Sequence, residues 1–130
     1  IELGLVGSEM CIRDRYASTN EVRGTSYRSR IDDPKYQFAG KTGTAQVKKI
    51  TKRDRELDLK TFEIPYEERD HALYVAYGPY KNPRYAVSVI VEHGGNGSTT
   101  AAPMAKKLFK LIIDRHEKRQ SMDDKKYLEI

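Results

Sequence analysis

Apolar and polar positions alternate in three short stretches of this chain and recur at helical spacing in one later stretch. Tyr36-Gln37-Phe38-Ala39-Gly40 and Ala45-Gln46-Val47 flank Lys41-Thr42-Gly43-Thr44, so residues 36–48 are predicted to form one strand with those four residues in its middle. His71 to Tyr77 predicts a second strand, and Gly78-Pro79-Tyr80-Lys81-Asn82-Pro83 has the chemistry of a hairpin turn. Arg84 to Val91 then runs back, with Tyr85, Val87, Val89 and Val91 on one face and Ala86, Ser88 and Ile90 on the other. Both faces are apolar, which predicts a central strand covered on both sides.

Between the first two strands, residues 48–70 are rich in charge and predict a long connection with a helical turn around Asp54 to Leu59. Val22-Arg23-Gly24-Thr25 reads as a turn or a short strand, and Ser18-Thr19-Asn20 has turn or cap composition. Gly94-Gly95-Asn96-Gly97 predicts a turn into a helix capped by Ser98, Thr99 or Thr100, with Pro103 in its first turn. Along that helix Ala101, Met104, Ala105, Leu108, Leu111 and Ile112 form the apolar face, and Lys106, Lys107 and Lys110 point away. Beyond Arg115 the residues are mostly polar, which predicts a frayed or disordered tail. The fold class is therefore α/β: three antiparallel strands with a C-terminal helix packed on the sheet, a part of a sandwich rather than a whole one.

Composition narrows the function. With 130 residues and 38% hydrophobic content there is room for one modest domain. The net charge of +5 invites a nucleic-acid reading, but the seven positive charges in residues 48–70 meet seven negative ones. No basic stripe interleaved with aromatics emerges, so a nucleic-acid-binding module is a remote alternative. His71, His93 and His116 lack the spacing of a metal site, and His71 and His93, at strand ends, read as structural. Neither a metal nor a cofactor is expected. Ile1 to Val6 is too short to span a membrane and has no basic region before it.

The chemistry is concentrated at residues 41–44. An ammonium and two hydroxyls beside backbone N–H groups can hold a carboxylate and stabilise a developing oxyanion. A glycine between the two threonines lets a ligand approach the backbone. A P-loop is excluded, because G-x-x-x-x-G-K-[ST] needs glycine at position 35, where this chain has Lys35. The equipment suits acyl transfer but includes no nucleophile: no serine is followed three residues later by lysine.

Ala39-Gly40-Lys41-Thr42-Gly43-Thr44-Ala45-Gln46-Val47 resembles the KTG motif of the penicillin-recognising serine acyl-transferases. The resemblance continues through Gly24-Thr25, His71-Ala72-Leu73-Tyr74-Val75-Ala76-Tyr77-Gly78-Pro79, Tyr85 to Glu92, Gly94-Gly95 and Ala101-Ala102-Pro103. In that order, over about residues 20–115, these resemble the C-terminal part of the transpeptidase domain of class B penicillin-binding proteins of the penicillin-binding protein 2 type. The implied fold is a partial penicillin-recognising transpeptidase fold. The implied activity is a D,D-transpeptidase that crosslinks peptidoglycan stem peptides through a serine acyl-enzyme and binds β-lactams.

Carried onto this chain, the resemblance gives Lys41 and Thr44 catalytic roles and makes Thr42, Gly43 and Thr44 substrate-binding. Lys41 places positive charge in the cleft, Thr42 and Thr44 bond the donor carboxylate, Gly43 leaves room for the substrate, and the Thr44 N–H is half of an oxyanion hole. The nucleophile and S-x-N motifs belong to sequence N-terminal to this chain, as does a membrane anchor, so the fragment alone is expected to be inactive. Ser18-Thr19-Asn20 has the S-x-N form but lies too close to Lys41 to be that motif. The implied location is the periplasmic face of the bacterial inner membrane, and the implied partner is a membrane glycan polymerase of the elongation complex. A serine β-lactamase or a non-enzymatic β-lactam sensor shares the same strand and is the alternative.

Residues 1–15, IELGLVGSEMCIRDR, resemble translated sequencing-adapter read-through and are expected to be a non-native extension. Cys11, the only cysteine, falls inside it and says nothing about redox compartment. The expected organisation is thus 1–15 extension, 16–117 transpeptidase segment and 118–130 polar tail.

Overall fold

The computed structural model describes residues 12–49 and 51–128. Residues 12–20 form a helix, α1, and β1 follows at Ala39–Ala45. A short helix α2, Lys52–Leu57, lies in the connection to β2, His71–Gly78, which turns back into β3, Tyr85–Val91. A single π-helical turn, Gly97–Ala101, leads into the long helix α3, Ala102–Leu128. Residues 1–11 of the expected extension, Cys11 among them, lie outside the described residues. Residues 12–15 are helical and run without a break into 16–20.

The three strands form one antiparallel sheet in the order β1-β2-β3. Its register pairs Ala39 with Tyr77, Lys41 with Val75, Gly43 with Leu73 and Ala45 with His71, and then Tyr74 with Val89. β2 is therefore the central strand. The expectation that the third strand is central and covered on both sides is corrected: β3 is an edge among the described residues, and Ala86, Ser88 and Ile90 face solvent. An apolar pattern on both faces reports what a strand can bury, not which neighbours it has. β1 is also shorter than the predicted 36–48, because its partner strand runs only from His71 to Gly78.

The core lies between the inward face of the sheet and α3. Phe38, just before β1, stacks on Phe109 of α3 with ring centroids 5.0 Å apart and meets Tyr74 of β2 edge-on at 6.3 Å. Ile31, Ala72, Tyr74, Ala76, Val89, Ala101, Ala102, Ala105 and Ile113 complete the buried cluster. Small residues at 102 and 105 let the helix come close enough for one large ring, Phe109, to reach the sheet. The buried face of α3 is thus 102, 105, 109 and 113. Met104, Leu108 and Leu111, expected on the inner face, are exposed.

Two further expectations at this helix are revised. Its cap is Asn96, whose side chain accepts the Ser98 N–H at 2.9 Å, while residues 98–100 are wound into the π turn. In place of the expected frayed tail, α3 continues beyond Arg115 to Leu128, solvated along its polar residues. Lys35 pairs with Glu117 at 2.6 Å and Tyr36 donates to Asp114, so the segment before β1 is tied to this helix.

Residues 18–20, expected as a turn or cap, are the end of α1, and Thr19 belongs to the core. Thr19 is fully buried and its hydroxyl lies 2.7 Å from that of Tyr74 and 3.3 Å from that of Ser26. The same Oγ1 accepts the Gly40 N–H at 3.1 Å and donates to the Gly40 carbonyl at 3.2 Å. Gly40 has to be glycine here, since a Cβ would sit 2.6 Å from the Tyr74 ring and 2.7 Å from the Ala76 methyl. In the 130-residue chain, Gly40→Ala is expected to destabilise by about 1–3 kcal/mol through overpacking. Tyr74→Phe is expected to cost about 1–2 kcal/mol by deleting the buried hydroxyl that Thr19 and Ser26 share, although both keep their backbone partners. Urea denaturation checks both, and an unchanged midpoint for Gly40→Ala contradicts the packing described.

Candidate functional site

Backbone parity on β1 decides what the strand presents. In an antiparallel strand the N–H and C=O of one residue point to the same side, and successive residues alternate. Both groups of Gly40 are bonded to Thr19, and the Phe38 carbonyl accepts from Asn20 Nδ2 at 3.0 Å, so even-numbered residues point away from β2. The Gln37 carbonyl, on the opposite parity, accepts from the Tyr80 N–H at 2.7 Å on the β2 side. It follows that Lys41, Gly43 and Ala45 bond to β2, whereas the N–H groups of Thr42 and Thr44 point to the strand's open edge.

Side chains follow the pleat. Lys41 and Gly43 share a face with their partners Val75 and Leu73, and Thr42 and Thr44 share the other with Tyr74 and Ala72. Lys41 is exposed but curls over the edge, donating from Nζ to the Thr42 carbonyl at 3.2 Å and to Thr42 Oγ1 at 3.4 Å. Ammonium, hydroxyl and the two outward N–H groups are therefore adjacent. A Cβ built at Gly43 would meet only Leu73 Cβ, at 3.4 Å, so packing within the chain does not demand glycine there and the face over it is open. An open cavity of about 470 Å³ lies on this face, lined by Asp14, Arg15, Lys41, Thr42, Gly43, Leu73 and Val75.

The far side of the site is closed by the turn after β3. Gly97 packs so tightly on β1 and β2 that a Cβ would lie 2.6 Å from the Leu73 carbonyl and 3.0 Å from that of Gly43. That turn is held by His71, whose Nδ1 accepts the His93 N–H at 2.9 Å, and by His93 Nδ1 against the Arg69 carbonyl at 3.0 Å. Both imidazoles thus have the structural positions their strand-end placement suggested. The connection, residues 48–70, folds back through Asp70, whose carboxylate accepts the Val47 N–H and whose carbonyl accepts the Gly95 N–H. A second cavity, of about 330 Å³, lies under that connection, away from β1.

The structure gathers all four expected residues, Lys41, Thr42, Gly43 and Thr44, on β1. It adds residues not singled out for the site: Thr19, Ser26 and Tyr74 beneath it, and Thr25 beside it. Their signal was faint but present. Tyr74 falls on the inward parity of β2, opposite Thr42 and diagonal to Gly40, and a large ring reaching across a glycine marks a close approach.

Residues 16–110 match the family model described as the penicillin-binding protein transpeptidase domain. The chain belongs to this family. The peptidoglycan D,D-transpeptidase MrdA of Haemophilus influenzae is 37% identical over 107 residues, 82% of this chain and 16% of that protein. The protein of the same name from Acinetobacter baumannii is 43% identical over 79 residues, 61% of this chain and 11% of that protein. Among solved structures, penicillin-binding protein PBP2 of Helicobacter pylori, in complex with MreC, matches with a TM-score of 0.58 at 33% identity, covering 77% of this chain and 16% of that one. PBP2 of Pseudomonas aeruginosa, in complex with WCK 5153, matches with a TM-score of 0.55 at 34% identity, covering 75% and 17%. The segment is of the PBP2 type and spans between 11% and 17% of the length of these relatives.

Burial raises the Tyr74 phenol pKa above its ordinary 10.0, against the lowering effect of its bonds with Ser26 and Thr19. A raised value means that the folded state holds this proton more tightly, so its stabilisation is present below pH 10 and is lost as pH rises through the folded value. The urea midpoint of the chain is expected to fall as pH rises above about 10, the ordinary tyrosine value, toward the raised folded value, and Tyr74→Phe to flatten part of that fall. An identical slope in the variant contradicts the burial of this hydroxyl.

Proposed function

We propose that this chain is a segment of a peptidoglycan D,D-transpeptidase in which β1 forms one wall of the acyl-transfer cleft. The observation that carries the reading is the outward row of N–H groups at Thr42 and Thr44 with the Lys41 ammonium folded over the same edge. A serine from outside this chain attacks the carbonyl of the D-Ala-D-Ala bond of a stem peptide. The terminal D-Ala leaves, and the acyl group passes from the serine ester to an amine of a second strand. The Thr44 N–H and the N–H of the nucleophile receive the oxyanion, a contact worth most when fixed beforehand.

Lys41 supplies positive charge to the donor carboxylate and the catalytic serines, and Thr42 and Thr44 bond the carboxylate through their hydroxyls. Gly43 leaves the face clear for the peptide. β-Lactams acylate the same serine as mimics of D-Ala-D-Ala. The reading places the parent protein at the periplasmic face of the inner membrane beside a membrane glycan polymerase. The association of the Helicobacter pylori relative with MreC supports an elongation-type assembly.

The test is the second-order rate of acylation by a penicillin, measured on a full-length transpeptidase carrying residues 16–115 in place of its own matching segment. Lys41→Ala is expected to lower that rate about a hundred- to a thousandfold, the usual loss at an oxyanion-type site. Thr42→Val is expected to cost about tenfold by deleting one hydrogen bond to a charged group. A folded Lys41→Ala variant acylated within about threefold of the parent, far from that loss, refutes the assignment.

A further inference from the structure

Thr25 reaches the site from outside β1. Its hydroxyl lies 3.5 Å from Thr42 Oγ1 and 3.0 Å from Ser18 Oγ, so Ser18, Thr25, Thr42 and the Lys41 ammonium form one continuous chain of polar contacts along the open edge. Thr25 is exposed, unlike its neighbour Ser26, which is buried.

An exposed threonine in a turn is ordinarily free to choose its rotamer and its position. This one is held on both sides. The Ser26 N–H and Ser26 Oγ both donate to the Ser18 carbonyl, at 2.9 and 3.0 Å, and the Gly24 N–H donates to Glu21 at 2.8 Å. Gly24 lies so close to α1 that a Cβ would sit 2.3 Å from the Ser18 carbonyl oxygen. The turn is therefore clamped onto the end of α1, and the same helix end, through Thr19, is clamped onto Gly40. One rigid body thus fixes both the strand that bears Thr42 and the hydroxyl that meets it.

Proton directions give the contact a purpose. An ammonium can only donate, so Thr42 Oγ1 accepts from Lys41 and has its own single proton left to give. The Thr25 hydroxyl, 3.5 Å away, can accept that proton. At 3.5 Å the bond is weak, hence easily exchanged for a short one to an ionised carboxylate.

We propose that Thr25 is a positioning residue of the carboxylate subsite: it holds the Thr42 hydroxyl, with its proton directed outward, in the orientation in which a carboxylate ligand takes it over. This rests on the functional reading above and goes beyond it by adding a residue outside β1. Because a carboxylate is held alike in the first complex and in the transition state, the effect belongs to binding and not to the limiting acylation rate.

The experiment measures penicillin acylation as a function of concentration in the same full-length protein, separating the dissociation constant of the first complex from the limiting rate. Thr25→Val is expected to raise the dissociation constant about fivefold with the limiting rate unchanged within twofold, and Thr25→Ser to restore it. In a Thr42→Val background Thr25→Val is expected to add nothing, since the residue acts through Thr42. Thr25→Ala repeats the deletion should valine disturb the turn, with the urea midpoint as a check on folding. No change on Thr25→Val or Thr25→Ala, a change in the limiting rate alone, no rescue by serine, or an undiminished effect in the Thr42→Val background overturns the role of Thr25. If Lys41→Ala and Thr42→Val retain their losses, only this inference fails; if they too are silent, the functional reading fails with it.

Discussion

One buried hydroxyl sets the geometry on which the rest depends. Thr19 Oγ1 takes the N–H and offers its proton to the carbonyl of the same residue, Gly40, while sharing contacts with Tyr74 and Ser26. A strand has only two parities, so fixing Gly40 toward α1 also fixes Thr42 and Thr44 toward the open edge. A slip of one residue would turn every one of those N–H groups into β2 and move Lys41 to the core face. The pairing of Lys41 with Val75 and the Gln37–Tyr80 bond agree with the same parity.

The surrounding elements serve that constraint in different ways. Tyr74 lies against Gly40 and brings the phenol within reach of Thr19, which links the central strand to α1. Phe38 and Phe109 anchor the approach to β1 on α3, and Gly97 closes the other end. Among the described residues, the face of Leu73 and Val75 and the edge of β3 remain open.

Much of this was legible in the sequence. The lysine-threonine-glycine-threonine run interrupting an apolar strand marked the site, and the alternation at Tyr85 to Val91 marked β3. Three things were not. The position of β3 in the sheet depends on pairing, which a single strand's pattern does not encode. The buried face of α3 was misjudged because its apolar residues extend around more than one side, and only contact with Phe38 selects Phe109 over Leu108. Ser18-Thr19-Asn20 has the composition of a turn, and only the closeness of Gly40 and Tyr74 gives Thr19 a buried role at a helix end. Such small hydroxyl residues have no periodic signal, since their value lies in which backbone groups they meet.

The central claim is that the open edge of β1 presents the backbone of Thr42 and Thr44, and amide hydrogen exchange of the 130-residue chain tests it most directly. The account predicts alternation: slow exchange at Lys41, Gly43 and Ala45, bonded to β2, slow exchange at Gly40, bonded to Thr19, and fast exchange at Thr42 and Thr44. Thr42 and Thr44 amides as protected as those of Lys41 and Gly43 would contradict it.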